Sequence, residues 1–193
     1  WSTGMATLTQ IYSLRGLNVL AGYNIASVVN QMFIVFFISM GNAISVMTGQ
    51  SLGANRMEKA KVEVRYLMAL SFSMCVVIAS IMALLSPYFP HLYNTTEEVY
   101  HLATRFILTM AVFMPMYSIT HACYFTLRAG GTTFITFLFD SGYMWVIHIP
   151  FALALTYWTD LPIWWLFPLA EAAGIVKLVL GLYFVRGGIW IKN

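Results

Sequence analysis

The chain has 193 residues, of which 60% are hydrophobic and only 9% are charged. Soluble domains carry roughly 25% charged residues, so this composition excludes a water-soluble globule. The net charge is +3, but the lysines and arginines lie mainly at the edges of apolar segments and form no continuous basic face, which argues against nucleic-acid binding. We therefore predict an integral membrane protein.

Five apolar segments are long enough to cross a bilayer, because a hydrocarbon core of ~30 Å takes about 20 helical residues. They are residues 20–48, 66–85, 106–127, 133–158 and 162–185. Residues 1–14 form an apolar segment too short to cross, so we expect a fragment whose first helix is truncated. The sequence predicts an all-α helix bundle, with residues 1–193 in a single transmembrane domain.

The positive charges predict how the bundle is oriented, since Lys and Arg in short loops are retained on the cytoplasmic side. Seven of them fall on one side, at Arg56, Lys59, Lys61, Arg65, Arg128, Arg186 and Lys192. The other side carries Glu97, Glu98 and Asp160 together with Arg15 and Arg105. We predict that the first side, and with it the C-terminus, is cytoplasmic.

The first complete span has a polar face. Its polar side chains project within ~60° of one another at 100° per residue; they are Asn24, Ser27, Gln31, Asn42 and Ser45. In a bilayer such a face either hydrogen-bonds a neighbouring helix or borders a watery pathway. On the second interpretation, Asn24, Ser27, Gln31 and Asn42 are candidates for lining a substrate cavity.

Residues 49–53 read Gly-Gln-Ser-Leu-Gly, which matches the nucleophile elbow of serine hydrolases. That elbow requires a strand before the serine, whereas Ser51 follows a predicted transmembrane helix. We therefore interpret Gly49 and Gly53 as a small-residue pair for close helix packing. The sequence predicts neither an enzyme nor a metal site.

The third complete span has a polar and aromatic face near a proline. Tyr117, Ser118 and Tyr124 share a face with His121, and Pro115 removes a backbone hydrogen bond one turn earlier. We predict a bent wall in which Tyr117, Ser118 and Tyr124 contact substrate. His121 either lines a cavity as a proton-binding candidate or is a satisfied packing residue.

Asp140 is the most costly residue of the apolar segments. A charge inside the bilayer costs ~2.5–3.5 kcal/mol on insertion scales, so it needs a partner, a cavity or a function. An acid whose surroundings open and close can take up and release a proton, as an ion-coupled carrier requires. The alternative is a structural acid bonded to a neighbouring helix or to Arg128.

The last span holds two further charges, Glu171 and Lys177. Six residues on a helix leave them about 120° apart and unable to pair directly. We expect Lys177 to extend towards the cytoplasmic interface, as long cationic side chains do. Glu171 has no such route, so it is a second coupling candidate inside the bundle.

Aromatic side chains gather near the outer ends of the helices, at Tyr88, Tyr93, Tyr157, Trp158, Trp164 and Trp165. They are typical of interfacial anchors. The alternative interpretation is an aromatic vestibule that attracts flat cations by cation–π interaction.

Two stretches carry a family resemblance. Residues 48–60, TGQSLGANRMEKA, resemble the cytoplasmic signature after the second helix of a lobe in multidrug and toxic-compound extrusion (MATE) transporters. The motifs LRAGGTT at 127–133, DSGYMW at 140–145 and IPFAL at 149–153 are similar to the junction between the fourth and fifth helices of that family's C-terminal lobe.

The resemblance implies the C-terminal lobe, helices seven to twelve, of a transporter built from two six-helix lobes. Such a protein exports amphipathic, often cationic compounds in exchange for H⁺ or Na⁺, without an organic cofactor. The implied partners are small-molecule substrates, membrane lipids and the N-terminal lobe, and the implied location is the bacterial inner membrane. Some sodium-coupled members carry an acid in the fourth helix of this lobe, whereas the region around Tyr117 and Ser118 has none here.

Two other function classes stay open from the sequence. One is a related flippase for lipid-linked oligosaccharides, which needs a basic cavity for pyrophosphate. The other is a membrane scaffold that transports nothing.

Overall fold

A computed structural model describes residues 2–191, so Trp1 and Lys192, both used in the sequence predictions, lie outside the described residues, as does Asn193. All regular secondary structure in the described part is helical. Its helices are α1 (Ser2–Ser13), α2 (Leu17–Gly53), α3 (Met57–Leu85), α4 (Glu97–Ala129), α5 (Thr133–Trp158) and α6 (Ile163–Arg186), with a short 3₁₀ turn at Phe89–Leu92.

Among the described residues, five helices, α2 to α6, are long and apolar enough to cross a membrane. The predicted all-α membrane bundle is therefore confirmed. Helices α2 and α4 have 37 and 33 residues and extend well past the predicted apolar segments. Polar residues beyond the hydrocarbon continue a helix without cost, because water satisfies its terminal backbone groups.

Connections at the two ends of the bundle differ in charge. The α2–α3 and α4–α5 connections carry Arg56 and Arg128, and we call this the basic end. The α1–α2, α3–α4 and α5–α6 connections lie at the other end, which we call the opposite end; it carries the acids Glu97 and Asp160.

Helix α5 is not a regular α-helix. Residues Leu138–Gly142 and Met144–His148 form two wide, π-helical turns. Pro150 lies two residues after the second turn and has no N–H to offer the carbonyl of Val146, so one regular α-helical hydrogen bond is missing there. Wide turns each add about one residue to the helix, and in other proteins they mark functional sites.

Helix α6 is interrupted after Ala172 and resumes at Gly174. Gly174 packs against α4, where a Cβ atom would lie 2.6 Å from the Met116 methyl carbon. A larger residue there would therefore displace the flexible end of the Met116 side chain, so the break in α6 coincides with a close approach to α4. Glu171 lies beside this break.

Near the opposite end, an aromatic cluster holds α1 in the bundle. Tyr12, Tyr23, Phe106 and Phe167 come from α1, α2, α4 and α6, and none is more than 6% exposed. Ring centroids are 5.4 Å apart for Tyr12 and Phe167 and 4.9 Å apart for Phe106 and Phe167, both in edge-to-face arrangements. Such contacts stabilise beyond the burial of their area.

At the basic end, Trp190 is buried against the helices of the bundle. Its side chain is 2% exposed and packs with Val64 and Leu127, while its indole N–H donates to the Val185 carbonyl at 2.9 Å. Gly130 faces the Trp190 backbone so closely that a Cβ atom would collide with it. The α4–α5 turn and the segment after α6 are therefore packed together.

We expect Arg15→Met to lower the free energy of unfolding by about 2 kcal/mol, since hydrogen bonds from charged donors are worth ~1.5–3 kcal/mol. The Arg15 guanidinium donates to the carbonyls of Thr156 and Thr159 at 2.9 and 2.7 Å, which are unpaired at the end of α5. Thermal unfolding in detergent measures the loss. Arg56→Met, at an exposed position, is the control. Equal melting temperatures for the two variants would show that the hydrogen bonds of Arg15 do not stabilise the fold.

Candidate functional site

A cavity of about 180 Å³ opens between α2, α4, α5 and α6. Its lining residues are Ile38, Thr120, His121, Tyr124, Phe125, Asp140 and Lys177. The structure thus brings Asp140 together with His121 and Tyr124, which the sequence had placed on one face of another helix. It also adds Lys177, for which the sequence predicted a different position.

Asp140 and Lys177 form an ion pair in this cavity. The Lys177 ammonium donates to Asp140 Oδ1 at 2.7 Å, and the two side chains are 27% and 18% exposed for Asp140 and Lys177 respectively. The same ammonium lies 5.2 Å from the ring centroid of Phe139 and 5.5 Å from that of Tyr143. Carboxylate and aromatic rings together compensate a charge that the bilayer alone would expel.

Two sequence expectations are corrected here. Lys177 does not extend to the interface, because its ammonium is bound to Asp140, which lies in the first wide turn of α5. Arg128 is not the partner of Asp140: it is exposed at the basic end. An acid on the neighbouring helix, rather than water, satisfies the buried ammonium.

His121 presents one ring nitrogen to this cavity. Its Nδ1 lies 2.9 Å from the Tyr117 carbonyl, and the ring stacks on Phe37 with centroids 5.7 Å apart. A carbonyl can only accept, so this contact places the proton of the neutral ring on Nδ1. The Nε2 lone pair is then free to accept a proton or a hydrogen bond.

Glu171 and Tyr117 form a second polar contact, nearer the opposite end. The Tyr117 hydroxyl donates to Glu171 Oε2, beside the break in α6 and the close approach of Gly174 to α4. Tyr117 is one helical turn from His121 on α4. Tyr117 contacts both Glu171 and His121, and His121 lines the same cavity as the Asp140–Lys177 pair. We call these connected groups, from Glu171 to the ion pair, the line of ionisable groups.

The remaining substrate candidates lie elsewhere. Ser118 is 1% exposed and shares a 2.7 Å hydrogen bond with Ser71, so it links α3 to α4 and does not face the cavity. Asn24, Gln31 and Asn42 are exposed on the surface of α2, and the Ser27 hydroxyl donates to the Asn24 carbonyl at 2.8 Å. These four α2 residues do not line the cavity that contains the Asp140–Lys177 pair.

A comparison with protein families identifies the architecture. A family model described as MatE matches residues 1–154. The chain belongs to the MatE family. The "Probable multidrug resistance protein YoeA" of Bacillus subtilis (strain 168) is 26% identical over 175 residues, which cover 87% of this MATE chain and 37% of that protein.

Solved MATE structures share the fold. An outward-facing conformation of a multidrug resistance MATE family transporter of the MOP superfamily superposes with a TM-score of 0.83 at 19% identity, covering 96% of this chain and 43% of that one. A crystal structure of MATE in the straight conformation matches with the same TM-score, identity and coverage. This MATE chain therefore spans less than half the length of the relatives it matches.

The ion pair of this MATE chain was missed because its partners are 37 residues apart on different helices. The available signal was two opposite charges in neighbouring apolar segments. Projection at 100° per residue compares positions on one helix and does not say which faces of two helices meet.

Proposed function

We propose that this chain is the C-terminal lobe, helices seven to twelve, of a secondary antiporter that exports amphipathic, often cationic compounds in exchange for H⁺ or Na⁺. The single observation that carries the proposal is the cavity with its ion pair, since ionisable groups inside a membrane bundle mark ion and substrate pathways. Membership of the MatE family agrees with this assignment. An N-terminal lobe of the same transporter would complete the pathway.

The basic end is proposed to face the cytoplasm of a bacterial inner membrane, and the C-terminus lies on that side. Arg56, Lys59, Lys61 and Arg65 lie at this end, which accords with the retention of positive charges on the cytoplasmic side. The polar residues on the exposed face of α2, Asn24, Ser27, Gln31 and Asn42, then border the space between the two lobes.

Coupling is proposed to act on the line of ionisable groups. With Lys177 bound to Asp140, the pair contributes no net charge to the cavity. A proton on Asp140 cancels its charge and releases the ammonium, whereas a cationic substrate can take the ammonium's place at the carboxylate. Because proton and substrate act on the same carboxylate, binding one disfavours the other, as an antiporter requires.

Glu171 is the second coupling candidate, with His121 between the two acids. Each acid is held by one donor, Lys177 or Tyr117. Hard metal cations prefer several oxygen ligands at once. This arrangement favours H⁺ over Na⁺ as the coupling ion.

We expect everted vesicles that contain the complete transporter to accumulate ethidium when a proton gradient is applied, and not with a sodium gradient alone. Asp140→Asn is expected to reduce this accumulation at least tenfold, since the exchange requires a titratable carboxylate. Asp160→Asn, which neutralises an exposed acid at the opposite end, is the control. Equal activity of both variants would remove Asp140 from coupling, and activity with neither gradient would refute antiport.

A flippase and a serine hydrolase gain no support from the structure. A flippase for lipid-linked oligosaccharides would need cations available for pyrophosphate, whereas Lys177 is engaged by Asp140. Ser51 lies at the end of α2 and donates to Glu63 at 2.5 Å, a helical context that differs from the strand and turn of a nucleophile elbow.

A further inference from the structure

A second cavity, of about 290 Å³, lies between α4 and α6 near the opposite end and has no part in the proposed transport site. Arg105, Leu108, Thr109, Trp164 and Trp165 line it. The Arg105 guanidinium lies 5.2 Å from the ring centroid of Trp164. Within residues 2–191, no acidic side chain pairs with Arg105, so its charge is compensated on one side by the ring and is open on the other.

The position of Arg105 along α4 sets its depth in the membrane. It directly precedes the apolar segment 106–127, whose 22 residues span ~33 Å as a helix, close to the ~30 Å thickness of the hydrocarbon core. The Arg105 side chain is therefore at the level of the lipid headgroups. Trp164, second in α6, is at the height where indole rings anchor helices to the interface.

Below Arg105 the two helices expose apolar side chains at helical spacing. Leu108 and Val112 on α4 are 45% and 68% exposed, and Trp165 and Leu169 on α6 are 62% and 42% exposed. Leu108 and Trp165 line the cavity, and Val112 and Leu169 follow them one helical turn deeper; we call the exposed apolar surface of these four residues the apolar furrow. A cation at headgroup level above an apolar furrow matches an amphipathic molecule with an anionic head and an acyl chain.

We propose that this cavity binds an anionic phospholipid, with its phosphate on Arg105 and one acyl chain along the furrow. Arginine suits this role because its planar fork of donors matches the oxygens of a phosphate. Arg105 lines the cavity, so a phosphate bound there is within reach of the guanidinium. Flat cations are disfavoured here, since Arg105 already covers the Trp164 ring and repels a second positive charge; this also argues against the aromatic vestibule.

Site-specific photolabelling tests the proposal on the complete transporter in phosphatidylcholine vesicles. The probe is a trace of phosphatidylglycerol with a diazirine on one acyl chain. We expect the label on the peptides that contain Leu108 and Val112 and those that contain Trp165 and Leu169. Excess unlabelled phosphatidylglycerol should reduce labelling about fivefold more than excess phosphatidylcholine, as expected for one headgroup-level cation.

Variants separate a site from general lipid contact. Arg105→Gln should remove the preference for phosphatidylglycerol, and Leu108→Trp should reduce labelling by filling the furrow. Arg128→Gln, which removes an exposed arginine from the other end of α4, is the matched control and should leave labelling unchanged. Size-exclusion profiles of all variants verify folding.

Several outcomes would overturn the proposal. Labelling spread evenly over all lipid-facing helices, or equal competition by phosphatidylcholine, would show ordinary lipid contact. Competition by soluble glycerol phosphate would identify a site for free anions, and competition by ethidium would assign the cavity to the substrate route. The result does not depend on transport, so failure here and failure of the proposed antiport are distinguishable.

Discussion

Lys177→Met is expected to destabilise the complete transporter by on the order of 2 kcal/mol, and Asp140→Asn by a similar amount. Removing one partner of a fully buried ion pair costs about 3–5 kcal/mol, because the remaining charge is left without compensation. The Asp140 and Lys177 side chains are 27% and 18% exposed, so we expect a smaller loss. Thermal unfolding in detergent measures the effect.

The double variant Asp140→Asn/Lys177→Met should recover most of this stability, since neutral replacements leave no uncompensated charge. The surface pair of Lys61 and Glu58 is the control, because it has the same 2.7 Å separation but is largely exposed. Lys61→Met and Glu58→Gln, made singly and together, should show no measurable coupling between their effects on the free energy of unfolding. If Lys177→Met alone were as stable as the double variant, the pair would not stabilise the lobe.

Glu171→Gln is expected to lower proton-driven export at least tenfold while ethidium binding is retained. Glutamine keeps the shape and still accepts the hydrogen bond from Tyr117, but it cannot bind and release a proton. Tyr117→Phe removes the hydrogen-bond donor but leaves the acid, so it should reduce proton-driven export less than Glu171→Gln does. Vesicle uptake and fluorescence anisotropy of bound ethidium measure the two properties separately.

Glu98→Gln is the control for Glu171→Gln. Glu98 is an exposed acid at the opposite end, and its carboxylate accepts a hydrogen bond from Asn18 at 2.7 Å. This variant should leave transport unchanged. If Glu171→Gln transported normally, Glu171 would be a structural acid that ties α6 to α4. If binding were lost together with transport, the residue would belong to the substrate site.

The membrane spans could be predicted from sequence because hydrophobicity adds up locally. The predicted 133–158 coincides with α5, and 162–185 differs from α6 by one residue at each end. For α2 and α4 the predicted segments, 20–48 and 106–127, cover only the apolar part of each helix. The helix continues where the side chains become polar, and hydropathy has no signal for that extension.

The site was predictable only in part, because pairing across helices depends on their rotation. Asp140, Glu171 and His121 stood out as ionisable groups in apolar segments, a property of composition. Which of them meet depends on the wide turns of α5 and the break of α6, and neither has a strong local signature. Ser118 illustrates the limit: its face was predicted from spacing, but the neighbour that it meets is Ser71 on α3.

The two wide turns of α5 have a consequence for the rest of that helix. An extra residue per turn changes the angular register by about 100°, so two such turns displace it by about 200°. The stretch Ile149–Trp158 therefore presents to α1 a side that a regular helix of the same sequence would direct nearly the other way. Removing one residue between Leu138 and His148 would rotate the rest of α5, including the carbonyls that accept hydrogen bonds from Arg15, and would hardly change the hydropathy profile.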